Sequence, residues 1–67
     1  MIQVRVNGRE RAFDAPPTVA ELLEALGVRL DGVAVAVDRQ VVPRSRYPEQ
    51  TVTDGQEVEV LRAVGGG

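Results

Sequence analysis

Thr18-Val19-Ala20-Glu21-Leu22-Leu23-Glu24-Ala25-Leu26-Gly27 decides the fold. Thr18 is a helix N-cap and Glu21, three residues on, completes a capping box. Val19, Leu22, Leu23 and Leu26 recur at helical spacing and form one apolar stripe, with Glu21, Glu24 and Ala25 on the other side. Gly27 can take the left-handed conformation that closes the helix. The spacing therefore predicts a helix over Thr18–Leu26, roughly 13 Å long. A helix of that length does not persist alone, so its stripe must lie on a sheet. Truncating Leu22 or Leu23 to Ala should then cost about 2–5 kcal/mol.

The segments on either side supply the strands. Ile2, Val4 and Val6 alternate with Gln3 and Arg5, the period of a half-buried strand. Asn7-Gly8 is a hairpin signal, because a type I′ turn needs positive φ at both central residues. A short return strand is expected at about Glu10–Asp14, with Phe13 as its main apolar residue and Pro16-Pro17 after it. Val33–Val37 reads as a strand apolar on both faces, Asp38-Arg39-Gln40 as a turn, and Val41-Val42 as a brief strand closed by Pro43. Arg44–Gln50 has no clean period, and Tyr47 should pin it with ring buried and hydroxyl wet. Thr53–Gln56 is a turn. Glu57–Val64 is the last strand, with Val58 and Val60 on one face and Glu57 and Glu59 on the other.

A single helix cannot cover both faces of a sheet, so the class is α+β with the helix on one face. The first and last strands are expected as parallel neighbours at the centre of a mixed sheet of four to five strands. That pattern fits the ubiquitin-like β-grasp architecture. It forms one domain over residues 1–64, followed by a flexible glycine tail at 65–67.

The totals narrow the function. With 67 residues, only about 60% of the unfolded surface can be buried. Net stability should amount to a few kcal/mol. A net charge of −2 gives no reason to expect nucleic acid or an anionic membrane as partner. The start of the chain lacks an apolar signal segment and no run is long enough to span a bilayer, so a cytoplasmic location is expected. Cysteine and histidine are absent, which removes thiolate nucleophiles, imidazole bases and the usual zinc ligands. Glu57, Glu59 and Asp38 are candidate acids without a nucleophile or base to work with, and a solvated strand face accounts for the first two. No catalytic residue, metal site or stably bound cofactor is expected. All eight basic residues are arginine. A codon or growth-temperature bias accounts for that; a second account is that a chain with an activated carboxylate avoids amines able to capture it.

What remains is the ending, Val64-Gly65-Gly66-Gly67. Glycine orders at a high entropic cost, so this stretch should be extended and mobile, projecting a carboxylate roughly 13 Å from the body. A carboxylate becomes electrophilic once ATP adenylates it, after which a sulfur or nitrogen nucleophile displaces AMP. A frayed end is the alternative reading of the same residues.

Val42-Pro43-Arg44-Ser45-x-Tyr47, then Thr53-Asp54-Gly55-Gln56-Glu57-Val58-Glu59-Val60, then Val64-Gly65-Gly66-Gly67 together resemble the ThiS family, the small sulfur carriers of thiamine biosynthesis. The resemblance covers the whole chain. Gln56 departs from it, because the family usually shows an acidic residue there; the position reads as a solvated strand entry. The resemblance implies that a ThiF-like E1 enzyme adenylates the carboxylate of Gly67 using ATP. It implies sulfur from a donor such as a cysteine desulfurase, and a ThiG-like thiazole synthase that takes the sulfur from the thiocarboxylate. Gly65 and Gly66 would thread the partners' active sites. A sulfur carrier for molybdopterin, tRNA thiolation or cysteine would use the same tail chemistry, and a protein modifier or a plain interaction domain would share the fold.

Docking is a separate expectation. If Val58 and Val60 face the helix, Leu61 and Ala63 face outward, with Ala34 and Ala36 beside them on a neighbouring strand. These four form a candidate apolar docking patch, against the alternative of ordinary scattered surface residues.

Overall fold

A computed structural model describes residues 1–29 and 31–62. Leu30 and the stretch from Ala63 to Gly67 lie outside the described residues, and with them the expected boundary between body and tail.

The elements are β1 (Ile2–Val6), β2 (Arg9–Phe13), α1 (Val19–Ala25), β3 (Val33–Val37), β4 (Gln40–Val42), a 3-10 turn at Arg44–Arg46, and β5 (Glu57–Arg62). They form one five-stranded sheet in the order β2-β1-β5-β3-β4. β1 and β5 are parallel, while the other neighbours are antiparallel. This is the expected ubiquitin-like β-grasp, with the first and last strands side by side.

The return strand starts one residue earlier than the sequence suggests. Asn7 (φ 50°) and Gly8 (φ 83°) complete the turn by themselves, so pairing resumes at Arg9 opposite Val6. Asp38 (φ 50°) and Arg39 (φ 70°) make the same kind of two-residue turn between β3 and β4, leaving Gln40 to open β4 opposite Val37.

The helix is closed at both ends as its sequence demands. Thr18 Oγ1 accepts from Glu21 N at 3.1 Å, and Thr18 N donates to Glu21 Oε1 at 2.9 Å. The next two N–H groups are satisfied from afar: Val19 N donates to Gln50 O at 2.8 Å and Ala20 N to Tyr47 O at 3.0 Å. The orphan donors of the first turn are thus accounted for. At the other end Gly27 (φ 72°) donates to Glu24 O, and Val28 N to Leu23 O, which is a Schellman closure. The residues expected as helix ends, Thr18 and Leu26, are its caps.

Val19, Leu22 and Leu23 are buried against Val4, Val6, Val35, Val37, Val42, Val52 and Val58 from the sheet and the long connection. Tyr47 joins this core at 2% exposure. Its hydroxyl is not wet as expected: it donates to Val33 O at 3.3 Å, beyond the end of β4. The Pro43–Tyr47 motif therefore builds the body. Pro43 O accepts from Arg46 N, the chain winds once, and Tyr47 is delivered under the helix start. Arg44 pairs with Asp31, both well exposed, an arrangement worth at most about 1 kcal/mol.

Gln56 is likewise more than a solvated strand entry. Its Oε1 accepts from Thr53 N at 2.8 Å and its Nε2 donates to Asp38 Oδ2 at 3.1 Å. Asp38 Oδ1 accepts from Glu57 N, and Asp38 N donates to Glu57 O. An acid at position 56 would keep the first bond and set two carboxylates against each other in place of the second. Gln56→Glu is expected to destabilise the fold by about 1–2 kcal/mol in urea melts.

Candidate functional site

β5 is the middle strand of the sheet and carries the chain toward its end. Its two flanks are held unequally. On the β3 side, pairing runs the whole way, from Val37↔Val58 to Val33↔Arg62. On the β1 side, the parallel ladder comprises only Arg5↔Glu57 and Val6↔Val58, because β1 then turns away at Asn7-Gly8.

Side chains extend that short ladder at both ends. Before it begins, Asp54 Oδ1 accepts from Gln3 N at 2.7 Å, while Gly55 N donates to Gln3 O. After it ends, Asn7 N still donates to Val58 O at 2.9 Å, and the Asn7 carboxamide then engages both backbone groups of Val60. Asn7 Oδ1 accepts from Val60 N at 2.9 Å, and Asn7 Nδ2 donates to Val60 O at 3.1 Å. Sequence reading assigned Asn7 to the turn alone. The clamp links residues 53 positions apart, and no local spacing announces it.

The outer face of the sheet carries the expected docking residues in part. Val58 is buried and Val60 half-buried toward the helix, so Leu61 points away and is 69% exposed. Ala34 sits directly opposite Leu61 across the β3–β5 pair. Ala36 lies one step along, between Glu59 on β5 and Val41 on β4. Ala63 lies outside the described residues. Val41, at 78% exposure, belongs to the same face and was missed. The signal was available, since alternation within Gln40–Val42 turns Val41 outward once Val42 is buried.

The candidate acids are placed apart from any shared cleft. Glu57 and Glu59 are exposed on the outer face, and Asp38 is committed to its turn and to the start of β5. Among the described residues no helix is long and apolar enough to cross a membrane. Gly65, Gly66 and Gly67, the expected reactive end and its approach, lie outside the described residues. What the geometry supplies is a strand locked into the sheet through Arg62 and leading directly to them.

A sequence model described as the ThiS family matches residues 4–67, the glycine ending included. The sulfur carrier protein ThiS of Escherichia coli is 35% identical over 66 residues, covering 98% of this chain and 100% of that protein. A thiazole synthase of Paramagnetospirillum magneticum is 44% identical over 62 residues; the match takes in 92% of this chain but spans only 19% of that protein. Among solved structures, the crystal structure of the thiamine biosynthesis protein ThiS from Geobacter metallireducens superposes with a TM-score of 0.85 at 36% identity, over 98% of this chain and 100% of that one. Sequence and architecture agree along the full length, and the chain belongs to the ThiS family.

Proposed function

We propose that this chain is a sulfur carrier rather than an enzyme, working in the cytoplasm on the route to the thiazole ring of thiamine. Residues 1–64 act as a rigid handle and Gly65–Gly67 as a slender, flexible arm. The carboxylate of Gly67 attacks the α-phosphorus of ATP held by a ThiF-like activating enzyme, and pyrophosphate leaves. A persulfide, supplied by a donor such as a cysteine desulfurase, then attacks the acyl carbon and AMP leaves; a second thiol attacks the donor cysteine's sulfur in the acyl disulfide so formed, releasing the thiocarboxylate and leaving a disulfide on the donor side. The resulting thiocarboxylate delivers sulfur to a ThiG-like thiazole synthase. Gly65 and Gly66 have no side chains to obstruct the partners' channels. The chain itself holds no cofactor, and ATP is consumed at the partner.

One observation carries this reading: the correspondence, over essentially both lengths, with a protein named as a sulfur carrier. The thiazole synthases, which contain a similar segment as about a fifth of their length, support the choice of thiazole formation as the destination. The test is to incubate the chain with ATP, its activating enzyme and sulfide, then measure intact mass. Exchange of one oxygen for sulfur is expected, and a mass unchanged with every cognate activating enzyme overturns the reading.

The activating enzyme docks on the outer face around Leu61, Ala34, Ala36 and Ala63, with Val41 added. Leu61 stands six residues before Gly67, at most about 20 Å of chain, so an enzyme gripping the tail must lie against this end of the sheet. Apolar residues exposed beside the tail suit the centre of such a contact. Leu61→Glu should fold normally, because its side chain is outside the core, and should raise the KM for the chain in adenylation by about tenfold or more. A folded variant adenylated at the normal KM removes the patch.

A further inference from the structure

We infer that Asn7 is a positioning residue for the tail: its carboxamide clamp on Val60 fixes the point at which β5 is released from two-sided support. The inference rests on the carrier reading for its consequence, though the clamp itself stands on geometry.

A type I′ turn asks little of its first residue beyond positive φ, which glycine provides at lower cost than asparagine. Here the asparagine side chain does something glycine cannot. The regular parallel ladder ends at Val6↔Val58, and Asn7 has already used its own N–H on Val58 O. The next rung would require a backbone unit where β1 has turned away. The carboxamide replaces it, with acceptor and donor spaced like those of a peptide group and both engaged with Val60. Past Val60, the described part of β5 is Leu61 and Arg62, which pair with Ala34 and Val33 on the β3 side. Tyr47 steadies that side in turn, through its bond to Val33 O. The strand end is therefore braced on one flank by Tyr47 through β3 and on the other by Asn7. Releasing the Asn7 flank leaves β5 beyond Val58 held by β3 alone, so this end opens more readily, and each residue that opens must be ordered again when the tail enters an enzyme.

Asn7→Gly separates the two roles, keeping the turn and deleting the clamp. Amide exchange at Val60 should accelerate at least about tenfold relative to Val4. In adenylation by the activating enzyme, the KM for the variant should rise about tenfold with kcat unchanged, the cost of ordering a longer free segment. Asn7→Asp keeps an acceptor for Val60 N but has no donor for Val60 O, and should fall between wild type and Asn7→Gly on both measures. Thr18→Ala is the control for lost stability in general: it removes the helix cap far from β5, and should lower the melting temperature while leaving KM alone. Unaltered Val60 exchange in Asn7→Gly overturns the clamp. Faster exchange with an unaltered KM, or an equal rise in Thr18→Ala, overturns the positioning role. If wild type itself is not activated, the carrier reading and the kinetic role fall together, while the exchange comparison still decides the clamp.

Discussion

Removing Gly66 and Gly67 is expected to leave the melting temperature of the domain unchanged and to abolish sulfur loading. The first half follows from where the stability resides. The residues of the described core, including those packed at its margin, lie between Ile2 and Val60. Among the described residues, the hydrogen bonds that tie β5 to its neighbours run as far as Arg62. Two glycines carry no side chain, so removing them forfeits no buried apolar side chain. The second half follows from reach. Shortening the arm by two residues draws the carboxylate back by about 7 Å, far outside the tolerance of a reacting centre. A carboxylate remains on Gly65, so the loss tests placement rather than the mere presence of the group. Thermal denaturation and intact mass after treatment with ATP, activating enzyme and sulfide read the two halves on one sample. A truncated chain that still gains sulfur would mean that the tail is passive. A truncated chain that melts early would mean that the last residues belong to the body.

Local and long-range interactions were not equally legible in the sequence. The parallel centre followed from the order of the elements, while the helix and its capping box and the Asn7-Gly8 hairpin are written in periodicities and local turn chemistry. Such signals act over a few residues, and the structure follows them to within a residue. What escaped were bonds from a side chain to a distant segment of the chain. Asn7 to Val60, Tyr47 to Val33 and Gln56 to Asp38 each join segments brought together only by the sheet. Asparagine in a turn and tyrosine in a loop look sufficient in their local roles, so nothing prompts a search for a second one. Gln56 shows the consequence most clearly. Taken as a surface position it looked interchangeable with an acid, and its partner is a carboxylate 18 residues earlier. The outward set on the sheet was half legible for a related reason. Alternation along β5 and β3 gave Leu61, Ala34 and Ala36, whereas alternation along β4 turns Val41 outward only once Val42 is known to be the buried residue of the adjacent valines.

Leu23→Ala is expected to leave much of the chain unfolded under conditions where wild type is fully folded. Leu23 has no exposed surface and sits on a helix of seven residues. A leucine truncated in such a place typically loses about 2–5 kcal/mol, through lost burial and the cavity left behind. In a larger protein that would be tolerable. A 67-residue domain without cysteine, and so without a disulfide, has only a few kcal/mol in total. The site also has little means to relax. The backbone of Leu23 receives Val28 N in the helix closure, and the first turn is pinned by Gln50 and Tyr47, so the helix cannot settle into the void without breaking its end bonds. Leu22→Ala should behave alike, being equally buried, while Leu26→Ala, at the half-buried C-cap, should cost distinctly less. Urea denaturation of the three variants gives the order directly, as midpoints at a shared slope. Equal losses at positions 23 and 26 would contradict the stripe geometry. The comparison also disciplines the loading assay, because Leu23→Ala should lose sulfur acceptance in proportion to the fraction unfolded and regain it when a stabilising osmolyte restores the fold. The tail truncation should not recover under the same treatment, since its folded body is already intact and only the reactive end is out of place.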